Sequence, residues 1–207
     1  VEWSNSQLFP RRVLVKQTQL KMRNTLTIIG LIFTLTLTAQ TDPKIYDIID
    51  SVSEDRLKND VKTLAEFGTR HTLSDTVSET RGIGAARRWI KGQFDAISKD
   101  CNNCLEVFYQ SNLIEKGTNQ RIVKDVNVVN VVAIQRGTKF PNRYIIMSGD
   151  IDSRVSSPTD FTSDSPGAND NASGMAGAIE AARALSNYSF ESSIVYLGLS
   201  GEEQGLF

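Results

Sequence analysis

Histidine is almost absent from this sequence, which has only one, His71, among 207 residues. Cysteine is scarce as well, and its two residues, Cys101 and Cys104, are separated by two asparagines. Structural zinc sites use about four Cys and His ligands, and neither a second cysteine pair nor a nearby histidine completes such a set. The cysteines precede a predicted strand instead of opening a helix, which argues against a thioredoxin-like redox site. We expect them to form a local disulfide in an oxidising compartment.

An excess of charge of either sign is also lacking. The sequence has 23 Lys and Arg residues against 24 Asp and Glu residues, a net charge of −1 at pH 7. Proteins that bind nucleic acid usually present a basic surface, so nothing in this composition points to DNA or RNA. The composition, 40% hydrophobic and 23% charged, is typical of one globular domain.

Long apolar runs are missing too, since the most apolar segment, residues 26–37, is shorter than the roughly 20 residues that span a bilayer. This segment follows the basic start Met22-Arg23 and precedes small residues, which is the pattern of a secretory signal. We therefore predict a signal peptide over 22–39, an over-extended N-terminus over 1–21 and the folded part over 40–207. A buried N-terminal helix is the alternative. The signal predicts a secreted or periplasmic protein with no stable membrane span after its removal.

Helical and strand patterns alternate after residue 40. Apolar residues at helical spacing predict helices after Asp42-Pro43 and over residues 57–67, 79–97 and 172–185. Strands are predicted over residues 105–109, 126–135, 143–148 and 193–199. This alternation predicts an α/β fold with three layers, α/β/α, around a mixed, mostly parallel central sheet.

Acidic side chains follow the predicted strands in three places. Asp150 and Asp152 come after the third strand, Asp170 lies in a Gly-Ala-Asn-Asp-Asn loop before a helix, and Glu202 and Glu203 follow the last strand. Ligands of α/β sheets bind at the carboxyl ends of strands, so we expect these acids to converge. Buried acids are costly unless a cation compensates them, which predicts a bound metal with a general base beside it. The alternative is a solvated turn and a helix N-terminal anion.

Three segments resemble the M28 family of zinc peptidases: GDIDSR from Gly149, PGANDNASG from Pro166 and LSGEEQGL from Leu199. Phe67-Gly68-Thr69-Arg70 is similar to an upstream part of the same family. The likeness covers roughly residues 57–207, and the long motifs in this order are specific. It implies a zinc-exopeptidase fold and cleavage of peptides, with an aminopeptidase favoured over a carboxypeptidase.

The resemblance implies a role for each acid. Asp170 would bridge two zinc ions, and the peptide bond after it is often cis in the family. Glu203 would be a terminal ligand on one metal, while Glu202 would be the general base that takes a proton from the metal-activated water. Asp152 would orient the ligand two residues before it, Asp150.

Asp150 departs from the family pattern, in which His-x-Asp is common. An aspartate oxygen can ligate zinc, so we predict that Asp150 replaces the imidazole and changes the metal preference. The alternatives are that Asp152 ligates instead, or that one metal position is lost. The family completes its metal set with a later Asp and His, so we expect this chain to be an inactive N-terminal fragment of the domain. His71 is predicted to be a loop or packing residue.

Three functional hypotheses follow from the resemblance. The first is an exported metal-dependent exopeptidase with a peptide substrate. The second is a binding domain that has lost catalysis, for which the missing histidine at position 150 is the evidence. The third is an acyltransferase similar to glutaminyl cyclases, which work with a single zinc. The retained Asp170, Glu202 and Glu203 favour the peptidase, and the sequence predicts no oligomeric state.

Overall fold

The computed structural model describes residues 42–205. This range contains four α-helices and four strands, joined by loops. The helices are α1 (Pro43–Ser51), α2 (Glu54–Glu66), α3 (Gly82–Asp100) and α4 (Ser173–Leu185). The strands are β1 (Leu105–Ile114), β2 (Val126–Gln135), β3 (Phe140–Asp150) and β4 (Ser192–Leu199). Short turns over Ala168–Ala172 and Glu202–Gln204 precede α4 and follow β4. The predicted signal peptide, 22–39, and the segment 1–21 lie outside the described residues.

The chain divides into two compact units after Asp47, and the sheet belongs to the second. The strand order is β1-β2-β4-β3. β1 and β4 each pair with β2 in antiparallel fashion, while β3 pairs with β4 in parallel. The predicted α/β fold with a mixed sheet is confirmed. The expectation of a mostly parallel sheet does not hold for these strands, because only β3 and β4 are joined through a crossover helix, α4.

The helices α2, α3 and α4 pack on one face of the sheet, because side chains from all three join the same core. The second helical layer of the predicted α/β/α arrangement is therefore not among residues 48–205. On the opposite face of β3, the side chain of Ile146 is 61% exposed. Within the described residues, no helix has both the length and the hydropathy to cross a membrane.

One continuous apolar core lies between these helices and the sheet. Ile90 and Phe94 of α3 and Met175 of α4 are fully buried against it. Tyr196 of β4 is also fully buried, with its ring centroid 6.3 Å from that of Phe94, and its hydroxyl donates to Gln135 Oε1 at 3.0 Å. Burial of each large apolar side chain contributes about 1.5–3 kcal/mol, so this core fixes the helices on the sheet.

Gly149 allows the carboxyl end of β3 to lie directly against α4. A Cβ atom at this position would come within 2.3 Å of the Met175 backbone nitrogen. Any larger residue would push the end of the strand away from the helix. The close approach places Asp150, the last residue of β3, beside the start of α4.

The predicted local disulfide is confirmed, since Cys101 and Cys104 are bonded. It lies between the end of α3 and the start of β1.

A buried ionic network fastens α2 to α4. Glu180 is 2% exposed, and its carboxylate accepts hydrogen bonds from the Ser53 backbone N–H at 2.7 Å and from Arg56 Nε at 3.0 Å. Arg183 Nη1 donates to Glu180 Oε2 at 3.1 Å and to Asp60 Oδ2 at 2.6 Å. Breaking a buried network by removing one partner leaves the others uncompensated, so Glu180 is the member whose loss matters most.

We predict that Glu180→Ala lowers the free energy of unfolding of the full-length protein by about 3 kcal/mol, because two arginines lose their buried partner. Urea unfolding measures the change. Glu191→Ala is the control: Glu191 contacts Lys139 in a pair of which both side chains are more than 60% exposed, and its loss should cost less than about 1 kcal/mol. Equal effects of the two variants would contradict the role of the network.

Candidate metal centre

Four acidic side chains come from three connections at one edge of the sheet. Asp150 ends β3 and is paired in register with Leu199, so the turn with Glu202 and Glu203 begins beside it. Asp170 lies in the turn that leads into α4. The parallel pairing of β3 and β4 therefore brings the predicted acids to the same edge, as the strand order requires.

These carboxylates act on one another electrostatically. Burial raises the pKa of Asp150, and the charges of Asp170 and Glu203 raise it further. Partial desolvation raises the pKa of Glu202, and the charges of Glu203, Asp150 and Asp170 raise it further. The structure thus brings together all four acids that the sequence assigned to catalysis or metal binding, while their individual roles remain predictions.

The turn that carries Asp170 has an unusual backbone. The peptide bond between Asp170 and Asn171 is cis, as the resemblance led us to expect. Gly167 opens the turn at φ 45°, and its carbonyl accepts a hydrogen bond from the Ala172 N–H at 3.1 Å. A Cβ atom at Gly167 would come within 2.6 Å of the Ser153 Cβ, so the turn packs closely on the segment after β3.

Arg70 joins that turn to the end of β3. Its guanidinium, 1% exposed, donates from Nε to the Ile151 carbonyl at 2.8 Å and from Nη1 to the Pro166 carbonyl at 2.6 Å. It also donates to the carbonyls of Gly167 at 3.0 Å and Leu64 at 2.9 Å. Burial lowers the pKa of Arg70 to about 10, so the group stays charged at neutral pH. Four carbonyl acceptors offset its desolvation and hold the Asp170 turn in place.

Sequence reasoning missed this role of Arg70. The residue was only part of a segment similar to the family, with no contact assigned to it. Its partners lie 81 and 96 positions away, at Ile151 and Pro166. A charged residue two positions after the predicted helix stop at Gly68 was the one signal available, and it does not identify those partners.

Asp152 is buried behind the acidic cluster. Its Oδ2 accepts hydrogen bonds from Thr72 Oγ1 at 2.7 Å and from the Glu203 backbone N–H at 3.2 Å. Its Oδ1 is buried without a hydrogen-bond partner among residues 42–205. Desolvation raises the pKa of Asp152 to about 6. These contacts position the turn of Glu203, whereas the orientation of Asp150 by Asp152 remains a prediction.

Glu203 is the one member of the acidic cluster with an ion pair inside the described range. Its carboxylate accepts a hydrogen bond from Arg154 Nε. Arg154 belongs to the GDIDSR segment, yet sequence reasoning gave it no role. Its charge compensates part of the negative charge of the cluster.

The donor atoms at this edge fit part of a divalent-metal site. Carboxylate oxygens are ligands of zinc and also of harder divalent ions, and a cation would relieve the repulsion that raises the pKa values of Asp150 and Glu202. Within residues 42–205, however, no three His, Cys, Asp or Glu side chains are arranged closely enough to hold one ion. Asp150, Asp170 and Glu203 therefore supply candidate ligands without forming a closed set.

His71 is a packing residue, as predicted, and it is fully buried. Its Nδ1 accepts a hydrogen bond from the Leu73 N–H at 3.0 Å, so the proton lies on Nε2. With the Gln204 amide oriented so that its oxygen faces the ring, Nε2–H donates to that oxygen at 3.1 Å. Although His71 is distant from the acidic motifs in sequence, this contact places it against the turn that carries Glu203.

Residues 130–207 match the model of Peptidase family M28. Over 165 residues the chain is 39% identical to a probable zinc metalloprotease of Pyrenophora tritici-repentis (strain Pt-1C-BFP), a match that covers 80% of this chain and 38% of that protein. The chain thus spans well under half the length of this curated relative.

The fold is similar to that of two solved structures. One is a leucine aminopeptidase precursor from Bacteroides thetaiotaomicron VPI-5482, with a TM-score of 0.55 and 20% identity over 73% of this chain and 48% of that one. The other is the glutaminyl cyclase of Porphyromonas gingivalis, with a TM-score of 0.54 and 21% identity over 73% of this chain and 46% of that one. At these identities the likeness concerns the fold alone.

We predict that Asp150→His in the full-length protein binds zinc at least as tightly as the wild type, because imidazole is a good zinc ligand. Asp150→Asn is the matched comparison: it keeps the shape but removes the charge, and we expect affinity to fall at least about tenfold. Competition with a chromophoric chelator measures both. If the two variants bind zinc equally well, Asp150 is not a ligand.

We predict that His71→Gln reduces the loss of stability at acidic pH. Desolvation lowers the pKa of the buried ring, whereas the unfolded chain takes up a proton near pH 6.5. The unfolded state therefore binds more protons, and stability falls as pH decreases below that value, by at most about 1.4 kcal/mol per pH unit. Urea unfolding of the metal-free full-length protein between about pH 5 and 8 tests this. A difference between wild type and variant that does not change with pH would contradict it.

Proposed function

Since residues 130–207 match the model of Peptidase family M28, we propose that the whole protein is an exported, metal-dependent exopeptidase that removes N-terminal residues from peptides. The curated relative is named a probable zinc metalloprotease, and one structural neighbour is a leucine aminopeptidase precursor. The N-terminal pattern over residues 22–39 supports export to the periplasm or the medium. The disulfide between Cys101 and Cys104 fits an oxidising compartment.

The observation that carries this proposal is the convergence of four carboxylates on one edge of the sheet. Asp150, Asp170 and Glu203 would hold zinc, with Asp170 shared between two ions. When bound, zinc polarises a carbonyl group and makes water a stronger acid. Arg70 and Asp152 would keep the ligand-bearing turns in position through the hydrogen bonds described above.

Glu202 is the candidate general base. Its side chain is exposed and makes no hydrogen bond or ion pair within the part of the chain that the structure describes, so its oxygens are free to accept a proton. A base works best when its pKa approaches the working pH, and partial desolvation together with the charges of three neighbouring carboxylates shifts the pKa of Glu202 upward. Glu202 would take a proton from the water that attacks the scissile carbonyl and pass it to the leaving amino group.

A glutaminyl-cyclase-like acyltransferase is the second candidate, because the fold is as similar to a glutaminyl cyclase as to an aminopeptidase. The two activities give different products from a peptide with N-terminal glutamine. A peptidase releases free glutamine, whereas a cyclase joins the α-amino nitrogen to the side-chain carbonyl carbon, releases ammonia and leaves a cyclised residue at the N-terminus. Mass spectrometry of the products separates them, and no reaction of either kind would favour a binding domain.

We predict that Glu202→Gln in the full-length protein lowers peptide turnover by about 10²- to 10⁴-fold, because the variant can no longer accept a proton. Its metal content should stay at the wild-type level. Glu203→Gln is the matched control at the neighbouring position, and it should lose metal. Elemental analysis and turnover are measured on the same samples. Loss of metal from Glu202→Gln would make Glu202 a ligand and would overturn its assignment as base.

A further inference from the structure

The turn that carries Glu202 is held in place by contacts from outside the turn. Glu202–Gln204 is preceded by Gly201 at φ 91° and followed by Gly205 at φ 116°. Glycine has more backbone freedom than any other residue, so the chain on either side restrains the turn little. The side chain of Glu202 is exposed, and it makes no hydrogen bond within residues 42–205. The position of its carboxylate therefore depends on what holds the neighbouring main chain.

Strand β2 holds the main chain before Glu202. The Ser200 N–H donates to Asn130 Oδ1 at 2.8 Å, and the Ser200 hydroxyl donates to the Val129 carbonyl at 2.8 Å. Because β2 runs antiparallel to β4, the start of β2 lies beside the end of β4. The connection between β1 and β2, residues 115–125, is thereby brought to the other side of the same turn.

This β1–β2 connection holds the main chain after Glu202. Asn119 Nδ2 donates to the Gln204 carbonyl at 2.7 Å, and Arg121 Nη1 donates to the Glu203 carbonyl at 2.9 Å. Asn119 Oδ1 accepts a hydrogen bond from the Arg121 backbone N–H at 2.7 Å, which fixes the orientation of the Asn119 amide. Two successive carbonyls of the turn thus each receive a donor from the connection.

The connection is itself fixed, so it can restrain the turn. Ile122 is 1% exposed and packs in an apolar cluster that includes Leu73. The side chain of Gln204 is fully buried, and with its oxygen facing the His71 ring its Nε2 donates to the Arg121 carbonyl at 3.0 Å. The turn and the connection are therefore joined by hydrogen bonds in both directions.

We propose that Asn119 and Arg121 are positioning residues for the general base Glu202. They act through the main chain of Glu203 and Gln204, and they keep the Glu202 carboxylate at the edge where the acids converge. The inference rests on the proposed function, because it takes Glu202 to be the base. A displacement of about 1 Å in a reacting geometry can lower a rate about 100-fold, so the loss of one such contact should be measurable.

The first test is Asn119→Asp in the zinc-loaded full-length protein. Aspartate keeps the acceptor for the Arg121 N–H but replaces the donor with an oxygen that faces the Gln204 carbonyl. We expect kcat to fall at least about tenfold and KM to change less than about twofold, with wild-type metal content. Gln120→Glu is the matched control, because it adds the same charge at the adjacent, exposed position and should leave kcat unchanged.

A double-mutant cycle separates positioning of the base from a general structural role. In the Glu202→Gln background, Asn119→Asp should lower turnover less than about twofold further, because the base that it positions is already missing. A structural role would lower turnover by the same factor in both backgrounds, which would overturn the proposal.

Arg121 provides an independent pair of variants if Asn119→Asp does not fold. Arg121→Met should lower kcat because the donor to the Glu203 carbonyl is lost. Arg121→Lys should restore most of the turnover, since one N–H group is enough for this single contact. Equal turnover of the Met and Lys variants would contradict the role of the hydrogen bond.

Hydrogen exchange of the metal-free full-length protein tests the contact without relying on activity. In Asn119→Asp, the amides of Gln204 and Gly205 should exchange at least about tenfold faster than in wild type, because the turn opens more often. They should exchange at the wild-type rate in Gln120→Glu. Unchanged exchange in Asn119→Asp would overturn the proposal.

The outcomes distinguish this inference from the proposed function. A wild type that cleaves no peptide contradicts the peptidase assignment and, with it, the base that Asn119 and Arg121 would position. A wild type that is active, with Asn119→Asp and Arg121→Met equally active, contradicts the positioning role alone.

Discussion

The buried guanidinium of Arg70 is the contact on which the geometry of the candidate metal centre depends. It donates to the carbonyls of Ile151, Pro166 and Gly167, and so it fixes the Asp170 turn relative to the end of β3. The cost of burying this charge is offset because its hydrogen-bond acceptors are carbonyls from segments that lack regular partners of their own. The close approach of Gly149 to α4 then places Asp150 at the same edge.

Charge balance explains much of what surrounds this edge. Four carboxylates converge, and one of them, Asp150, stands where the resemblance to family M28 led us to expect a histidine, which would be neutral. Arg154 pairs with Glu203 and compensates part of the excess, while Asp152 is buried with a raised pKa and supports the Glu203 turn through a backbone hydrogen bond. A divalent cation would neutralise the remaining charge, and this is the physical reason to expect a metal here.

The order and bounds of the strands along the chain were predicted better than the contacts between distant segments. β2 was predicted over 126–135, as observed, because its β-branched residues leave little choice. β1 was predicted to end at residue 109 but continues to Ile114, since its polar second half pairs with β2, and Asn130 Nδ2 donates to Gln110 Oε1 at 2.7 Å. The acids at strand ends were predicted because topology alone brings them together. Arg70 and Arg154 were not, because their partners are distant in sequence and no local pattern specifies them.

The most direct test of the metal centre is the metal stoichiometry of the full-length, signal-free protein, measured by elemental analysis together with aminopeptidase turnover. We predict about two zinc ions per chain and turnover that a chelator abolishes. A protein that binds no metal and cleaves no peptide would contradict the assignment of Asp150, Asp170 and Glu203 as ligands.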